Sequence, residues 1–528
     1  MEAAGLAIGV IGIVIAFKGA IDTALILEDF FEDNQSESRH WALRYHVQKC
    51  RLKAWGDHWN ADDEKHCTLN TKPNIFKSAI ELILDEIKML NRRAEMLISK
   101  HDLDKERATL KRRFRWEIKT KSEFIDVVLK FQNLVNDLEG FTYPSNQLQL
   151  LTKAFLPEML AEIRNTRMLE SLADNPPAGD QTLALSAKAK LLNEHPKRLL
   201  CDVDTAIWLH RPKFELDDIA VSNDFGFIKE SEARIRPVWI EWNILEQVTE
   251  TQLYVARIEG LARLLKSVSE PALRLPPFFG IYDDLDYELK HGHKRIGYVF
   301  GTPESMLDYD RRTHTFRTDI MANPPVTLSS MLKDENAIPP LLGDRFRLAF
   351  TLASAFSLFH AVGWLHKGLH SGSILFLHEA DRTISVTEPF IMGFQYARQQ
   401  NEASLSLGPL RNKSLMHYYH PDAVSGFSKR LDLYSLGVVL CEIGRWAVIP
   451  SQIPEKKLKR LKTKEDWRDY IFSSRLKELG WRMGKQYQEA VRVLLECDLP
   501  DDKSKLGHAL FTQEFQKKVL QPLSRCNA

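Results

Sequence analysis

The chain has 528 residues, 44% hydrophobic and 27% charged, enough apolar material for about two to four globular domains. Lys and Arg number 72 against 71 Asp and Glu, and this near-neutral balance argues against a dedicated nucleic-acid binder. Six cysteines (Cys50, Cys67, Cys201, Cys441, Cys497 and Cys526) include no Cys-x-x-Cys pair, so zinc ribbons and thioredoxin-type chemistry have no support and a reducing, cytoplasmic compartment is expected.

Residues 3–17, AAGLAIGVIGIVIAF, are fifteen uncharged positions. Glu2 opens the segment and no small-residue cleavage site follows, which speaks against a secretory signal. At ~1.5 Å per residue the run reaches ~22 Å, short of a ~30 Å hydrocarbon core. Lys18 and Asp22 then interrupt it before apolar character resumes at 24–27. Gly5, Gly9, Gly12, Ala16 and Gly19 recur at steps of four and three along one helical face, a pattern that lets helices approach closely in bilayers and in bundles alike. Two readings stay open: a core helix of a soluble bundle, and a helix that enters membrane. Each interior glycine weakens the helix by ~1 kcal/mol relative to alanine, so either reading needs neighbours to hold it.

Helical periodicity continues to about residue 173. Trp41, Tyr45, Leu52, Trp55 and Trp59, then Ile80, Ile83, Leu84, Ile87 and Leu90, then Phe124, Val127, Val128, Phe131, Leu134, Val135 and Leu138 predict an all-α bundle. Residues 88–121 hold twelve Lys/Arg and five Asp/Glu. They are a solvated face balanced by Glu28, Asp29, Glu32 and Asp33, or a surface drawn to anionic lipid at ~1 kcal/mol per basic residue.

The Gly-dotted apolar start, the acidic segment after it and RLKAWGDHW at 51–59 resemble the HeLo (prion-inhibition and propagation) domain of fungal HET-s/LopB proteins. The resemblance covers residues 1–173. It implies a helical bundle whose first helix can leave, insert into a membrane and cause cell death. Gly5, Gly9, Gly12, Ala16, Lys18 and Asp22 are the residues it marks for insertion. The C-terminal QPLSRCNA carries no Asn/Gln-rich or repeated β-prone tract, so an amyloid trigger within this chain is not expected.

DNPPAGDQT at 174–182 reads as a linker, and residues 174–213 as linker and brace. From Phe214 short β-like runs appear (219–221, 238–242, 297–300), and from Leu341 helices dominate. A multidomain chain is expected: the all-α bundle followed by a bilobal α+β module at 214–528, with a small lobe about 214–303 and a large lobe about 338–520.

Several strings in this module resemble the protein kinase fold in order. Val238, Trp239, Ile240 and Glu241 stand where a kinase has Val-Ala-Ile-Lys. Tyr298 to Gly301 resemble the strand entering the interlobe hinge, and His366 to Leu375 the catalytic loop. Met392, Gly393, Phe394 and Gln395 fall at the Asp-Phe-Gly position. His420, Pro421 and Asp422 resemble Ala-Pro-Glu, and residues 432–437 the Asp-x-Tyr-Ser-x-Gly helix. The resemblance implies that the chemistry is gone. Gly368 replaces the catalytic Asp, Ser373 the metal-binding Asn, Gly393 the metal-binding Asp and Glu241 the phosphate-holding Lys. The glycine-rich loop is reduced to Gly226 within 222–229. A pseudokinase with no cofactor and no metal is therefore expected, not an enzyme. Residual nucleotide contact would fall on the hinge residues Phe300, Gly301 and Thr302. The competing reading is an active kinase with acidic groups relocated to Glu388 or Asp381. His366 is expected to be structural. Asp432 either bonds the catalytic-loop backbone or caps its helix. The basic run 456–464 reads as a solvated face.

The combined layout resembles the mixed lineage kinase domain-like family of necroptosis effectors. It implies a cell-death effector, cytoplasmic at rest and at the plasma membrane when active, in which the dead kinase-like module restrains and releases the bundle. Its partners would be anionic membrane lipid, further copies of itself and an unidentified upstream activator, with no nucleic acid. The alternatives are a true kinase regulated by its helical domain and a scaffold that never touches lipid.

Overall fold

The computed structural model describes residues 2–24, 36–105, 121–142, 156–161, 163, 165–174, 176, 181–194, 207–210, 214–216, 225–231, 234–245, 251–267, 273–303, 306, 309–310, 315–316, 323–334, 336, 338–379, 383–394, 398–399, 413–424, 427–451, 453–500 and 505–527. Two compact units emerge, Met1–Ala187 and Lys188–Ala528. The acidic segment after the first helix, most of the basic stretch beyond residue 105, the run 219–221, Asp381 and Gln395 lie outside the described residues.

The first unit is helical. Its elements are α1 (Glu2–Asp22), α2 (Ser36–Trp59), α3 (Asn74–Lys105), α4 (Lys121–Thr142), α5 (Thr166–Asp174) and α6 (Gln181–Glu194). The unit boundary falls inside α6, within the stretch read from sequence as linker and brace. α1 packs mainly on α3, and α2 and α3 both pack on α4. Along α3 the buried Ile80, Leu84, Ile87, Asn91 and Ala94 recur at steps of four, three, four and three, so one face of the helix enters the core. Tyr45, Leu52 and Trp55 of α2 and Val127, Val128, Phe131, Val135 and Leu138 of α4 complete it.

In the second unit, β1 (Phe214–Leu216), β2 (Phe225–Ser231), β3 (Arg234–Leu245), β4 (Phe278–Asp283) and β5 (Lys294–Gly301) form an antiparallel sheet in the order β1-β2-β3-β5-β4. α7 (Thr251–Ser267) joins β3 to β4. Alternation along β3 sorts its side chains. Val238 and Ile240 enter a cluster with Phe214, Ile228, Tyr282 and Val299, while Trp239, Glu241 and Asn243 point to the other face. Pro237 lies one residue before the stretch paired with β5, so its missing N–H costs that ladder nothing. Gly226 sits within β2, paired with Leu216 and Val238. The outer edge of β4 is met by residues 207–209: Ile281 N donates to Ile207 O at 2.7 Å and Leu209 N to Ile281 O at 2.8 Å.

The rest is mostly helical: α8 (Leu285–His291), α9 (Leu328–Lys333), α10 (Leu342–Ala361), α11 (Lys429–Arg445), α12 (Glu455–Leu458), α13 (Lys464–Tyr470), α14 (Leu476–Glu496), α15 (Lys505–Phe515) and α16 (Gln521–Ser524). α11 is buried along almost its whole length and packs chiefly on α14. The basic run 456–464 is largely exposed around α12, as a solvated face should be.

Candidate functional site

Two places gather the residues that the sequence singles out. The first is the seat of α1. Its Val10, Ile13, Val14, Ala16, Phe17 and Ala20 are buried, while Ile11, Ile15, Lys18 and Asp22 form the outer face, with Ile15 61% exposed. The ring of Phe17 lies over Gly56 of α2: a Cβ on Gly56 would come within 1.9 Å of Phe17 Cζ. Beside it, Trp55 meets the Phe17 ring at 6.0 Å between centroids and donates from Nε1 to Thr142 Oγ1 of α4 at 2.9 Å. One turn earlier Arg51 forms an ion pair with Glu139 and donates to Asn136 Oδ1 at 2.9 Å. The Arg-Leu-x-x-Trp-Gly element is thus a clamp. Arg51 and Trp55 hold α2 to α4, and the bare Gly56 admits α1.

The end of α1 has its own tether. Buried Asn91 donates from Nδ2 to Ala20 O at 2.8 Å and accepts from Tyr45 Oη at 2.6 Å. Ala20 is in the last turn, where helix carbonyls lack an intrahelical donor. The described part of the small-residue stripe lies along α3, with Ala16 buried. Gly12 and Gly19 lie under the Glu81 carboxyl group and the Lys88 side-chain end, 2.5 and 3.0 Å from a hypothetical Cβ. These are flexible ends that can swing away, so among the described glycines of the bundle the crowded one is Gly56. Gly5 and Gly9 lie in α1, and their surroundings fall outside the described residues.

The second place lies between the sheet and the helices of the C-terminal unit. Glu241 Oε2 accepts from Gly393 N at 3.1 Å. Gly393 has φ of 89°, and a Cβ there would sit 3.0 Å from Ser373 Cβ, 3.3 Å from His366 Cε1 and 3.6 Å from Gly368 O. Glu241, Gly368, Ser373 and Gly393 therefore converge. Ser373 Oγ is engaged locally: it accepts from His370 N at 3.0 Å and donates to His370 O at 2.8 Å. His366 donates from Nε2 to Met392 O at 2.7 Å and accepts at Nδ1 from Gly368 N at 3.2 Å, roles that suit a neutral ring. Burial lowers its pKa and keeps it neutral.

Aromatic rings fill the remaining space. Buried Trp239 stacks on Phe300 at 6.3 Å, and buried Phe394 lies 6.4 Å from Phe300, 5.9 Å from Phe359 and 5.3 Å from His366. Of the residues expected at a hinge, Phe300 and Thr302 are buried and Gly301 N donates to Pro277 O at 2.9 Å. Glu388 pairs with Arg274.

Asp432 is fully buried and accepts from His366 N and Lys367 N, each at 2.8 Å, and from His360 Nε2 at 3.0 Å. The N-cap of α11 is Ser428, so the capping alternative for Asp432 is corrected: the carboxylate lies one turn inside, aimed at the loop. Sequence reasoning missed the fit of Phe17 to Gly56, the Asn91 tether and the stacking of Trp239 on Phe300. Only the last left a trace, a tryptophan where the kinase pattern has alanine.

Residues 5–109 match the family model HeLo, described as prion-inhibition and propagation. Over these residues the N-terminal part of the chain is similar to a HeLo domain. The match spans α1, α2 and α3, and so includes Phe17, Arg51, Trp55, Gly56 and Asn91. No curated protein matches the chain. Among the described residues no helix is long and apolar enough to cross a membrane.

The C-terminal unit also carries a pH response. Burial lowers the pKa of His370 to about 4 and of His417 to about 3, and holds His366 and His420 below the ordinary value. For such depressed histidines the stability contribution is complete above the unfolded value near 6.5 and is lost as pH falls toward 4 and 3. Buried Glu442, which accepts from Tyr418 Oη and Ile449 N, opposes them: burial raises it to about 7. Its contribution is complete below 4.5 and lost as pH rises to 7. Several histidines outweigh one glutamate. The melting temperature of the full chain should therefore fall between pH 6.5 and 4, and His370→Gln with His417→Phe should flatten that fall. A profile equally steep in the double variant would refute the assignment.

Proposed function

We propose that the chain is a membrane-targeting cell-death effector. In this reading the C-terminal unit is a kinase-like domain that transfers no phosphate and restrains the HeLo bundle, and release frees α1 to enter membrane. The chain is then cytoplasmic at rest and at the plasma membrane when active. The observation that carries the reading is the seat of α1. A glycine-weakened, strongly apolar helix is seated by its buried face, by one ring in a glycine slot and by one buried amide, with Ile11 and Ile15 already facing outward.

Support for a kinase-like unit comes from the strand order β1-β2-β3-β5-β4, the helix between β3 and β4, the meeting of four degenerate positions and the Asp432 bonds to the loop backbone. Phosphoryl transfer relies on positioning and charge neutralisation. Gly368 and Gly393 bring no side chain for a base or a metal, Glu241 would repel phosphate, and Trp239 fills the space beside the hinge. ATP and Mg²⁺ do not fit this set of residues.

The uncharged run of α1 is short, and Lys18 and Asp22 follow it. A charge at a bilayer centre costs ~2.5–3.5 kcal/mol, so insertion by a single copy is unfavourable and the proposal requires assembly. Dye leakage from anionic liposomes should be steep in protein concentration, greater for residues 1–173 than for the full chain, and abolished by deleting residues 1–17. The same preparations should hydrolyse no ATP with Mg²⁺ or Mn²⁺. Full leakage from the deletion would exclude α1, leakage from neither form would leave a scaffold, and ATP turnover would restore the kinase reading.

A further inference from the structure

α3 turns a second apolar stripe to solvent. Ile75, Leu82, Met89 and Met96 recur every seven residues and are 77, 70, 63 and 58% exposed. Ser78, Asp85 and Arg92 lie between them and are also exposed, so the apolar residues stand one per two turns in a line flanked by polar ones. The opposite face of the same helix already fills the core through Ile80, Leu84, Ile87 and Asn91. Scattered exposed apolar residues need no explanation, but four in line over ~32 Å of one helix do.

The flanking charges indicate what covers the stripe. Asp85 and Glu86 precede Met89, Arg92 and Arg93 follow it, all four are exposed, and none forms an ion pair among the described residues. We propose that α3 pairs antiparallel with α3 of a second copy, with the two-fold axis at Met89. Leu82 of each copy then faces Met96 of the other, and Asp85 and Glu86 face Arg93 and Arg92. A parallel pair would set like charges opposite each other, and an anionic lipid surface would meet Asp85 and Glu86. The pairing belongs to the resting protein and does not depend on the membrane reading.

Sedimentation velocity on the full chain tests it. The unmodified chain should be a dimer at micromolar concentration. Met89→Glu places two carboxylates at the axis and should weaken the dimer about tenfold or more. Asp85→Arg with Glu86→Arg should weaken it too, as should Arg92→Glu with Arg93→Glu. The four changes combined should restore it, since an antiparallel homodimer regains every opposite-charge contact. All positions are exposed, so unchanged thermal melts certify the fold. A monomeric unmodified chain, or a fourfold variant as weak as either double, overturns the proposal. So does a monomer in which Met89→Cys is protected from maleimide, because the stripe would then be covered by the chain's own C-terminal unit. A monomeric unmodified chain whose binding to anionic vesicles is lost in Met89→Glu would assign the stripe to lipid instead and would also overturn it.

Discussion

Gly56→Leu should unseat the first helix. A Cβ at Gly56 would lie 1.9 Å from Cζ and 2.2 Å from Cε2 of Phe17, an overlap that no rotamer of a leucine can relieve while the ring stays in place. The ring must leave, and loss of a buried phenylalanine is worth about 3–5 kcal/mol in a core. The gain in helix propensity from replacing glycine, ~1 kcal/mol, offsets a minor part. Gly12→Leu is the matched control: there only the Glu81 carboxyl end must move, and the expected loss is under ~1 kcal/mol. Hydrogen exchange across residues 2–22 reads the result. Gly56→Leu should lose protection throughout α1 while α3 and α4 retain theirs, and liposome leakage should rise without any activator. If protection of α1 is unchanged, the glycine slot does not hold the helix. If protection is lost and leakage is not gained, the seat is correct and the membrane role is wrong.

Asp432→Ala should be among the most damaging single changes in the C-terminal unit. The carboxylate is fully buried and satisfies two backbone N–H groups and one imidazole. Its removal leaves all three donors without a partner away from water, and deleting one member of such a buried charged cluster costs about 3–5 kcal/mol. Lys367 adds to the effect. It holds φ of 61°, a strained conformation for a non-glycine residue, and its N–H is one of the two bound donors. Urea unfolding of the full chain should show the C-terminal transition moved to markedly lower denaturant. Asp432→Asn should recover only part, because one amide oxygen accepts while the amide nitrogen faces further donors. A shift below about 1 kcal/mol in Asp432→Ala would mean that the loop is held by its other contacts.

The helical N-terminal third was legible because periodicity over long helices is a local signal, and the apolar start, RLKAWGDHW and their separation are carried by consecutive residues. The family match at residues 5–109 rests on that same information. Composition and the switch of texture near Phe214 likewise marked a mixed module, and the antiparallel sheet and helices bear out that coarser expectation. The substitutions at 241, 368, 373 and 393 were readable one by one. That Glu241 reaches Gly393 N, or that Trp239 and Phe394 close the space around them, was not, because those partners lie on different elements far apart in the chain.

The same limit explains the glycines. In the sequence, Gly5, Gly9, Gly12, Ala16 and Gly19 formed the evident pattern, and Gly56 was one letter of a motif. Spacing reports which residues share a face, not what lies across from it. Only packing reveals that Gly12 and Gly19 sit beneath movable side-chain ends and Gly56 beneath an aromatic ring. The amino-acid sequence by itself therefore determined the elements and the faces they share. The tertiary structure alone decided which glycine lies beneath Phe17, which carbonyl Asn91 ties down and which apolar stripe of α3 faces solvent, since each depends on contacts between segments whose separation along the chain carries no record of their distance in space.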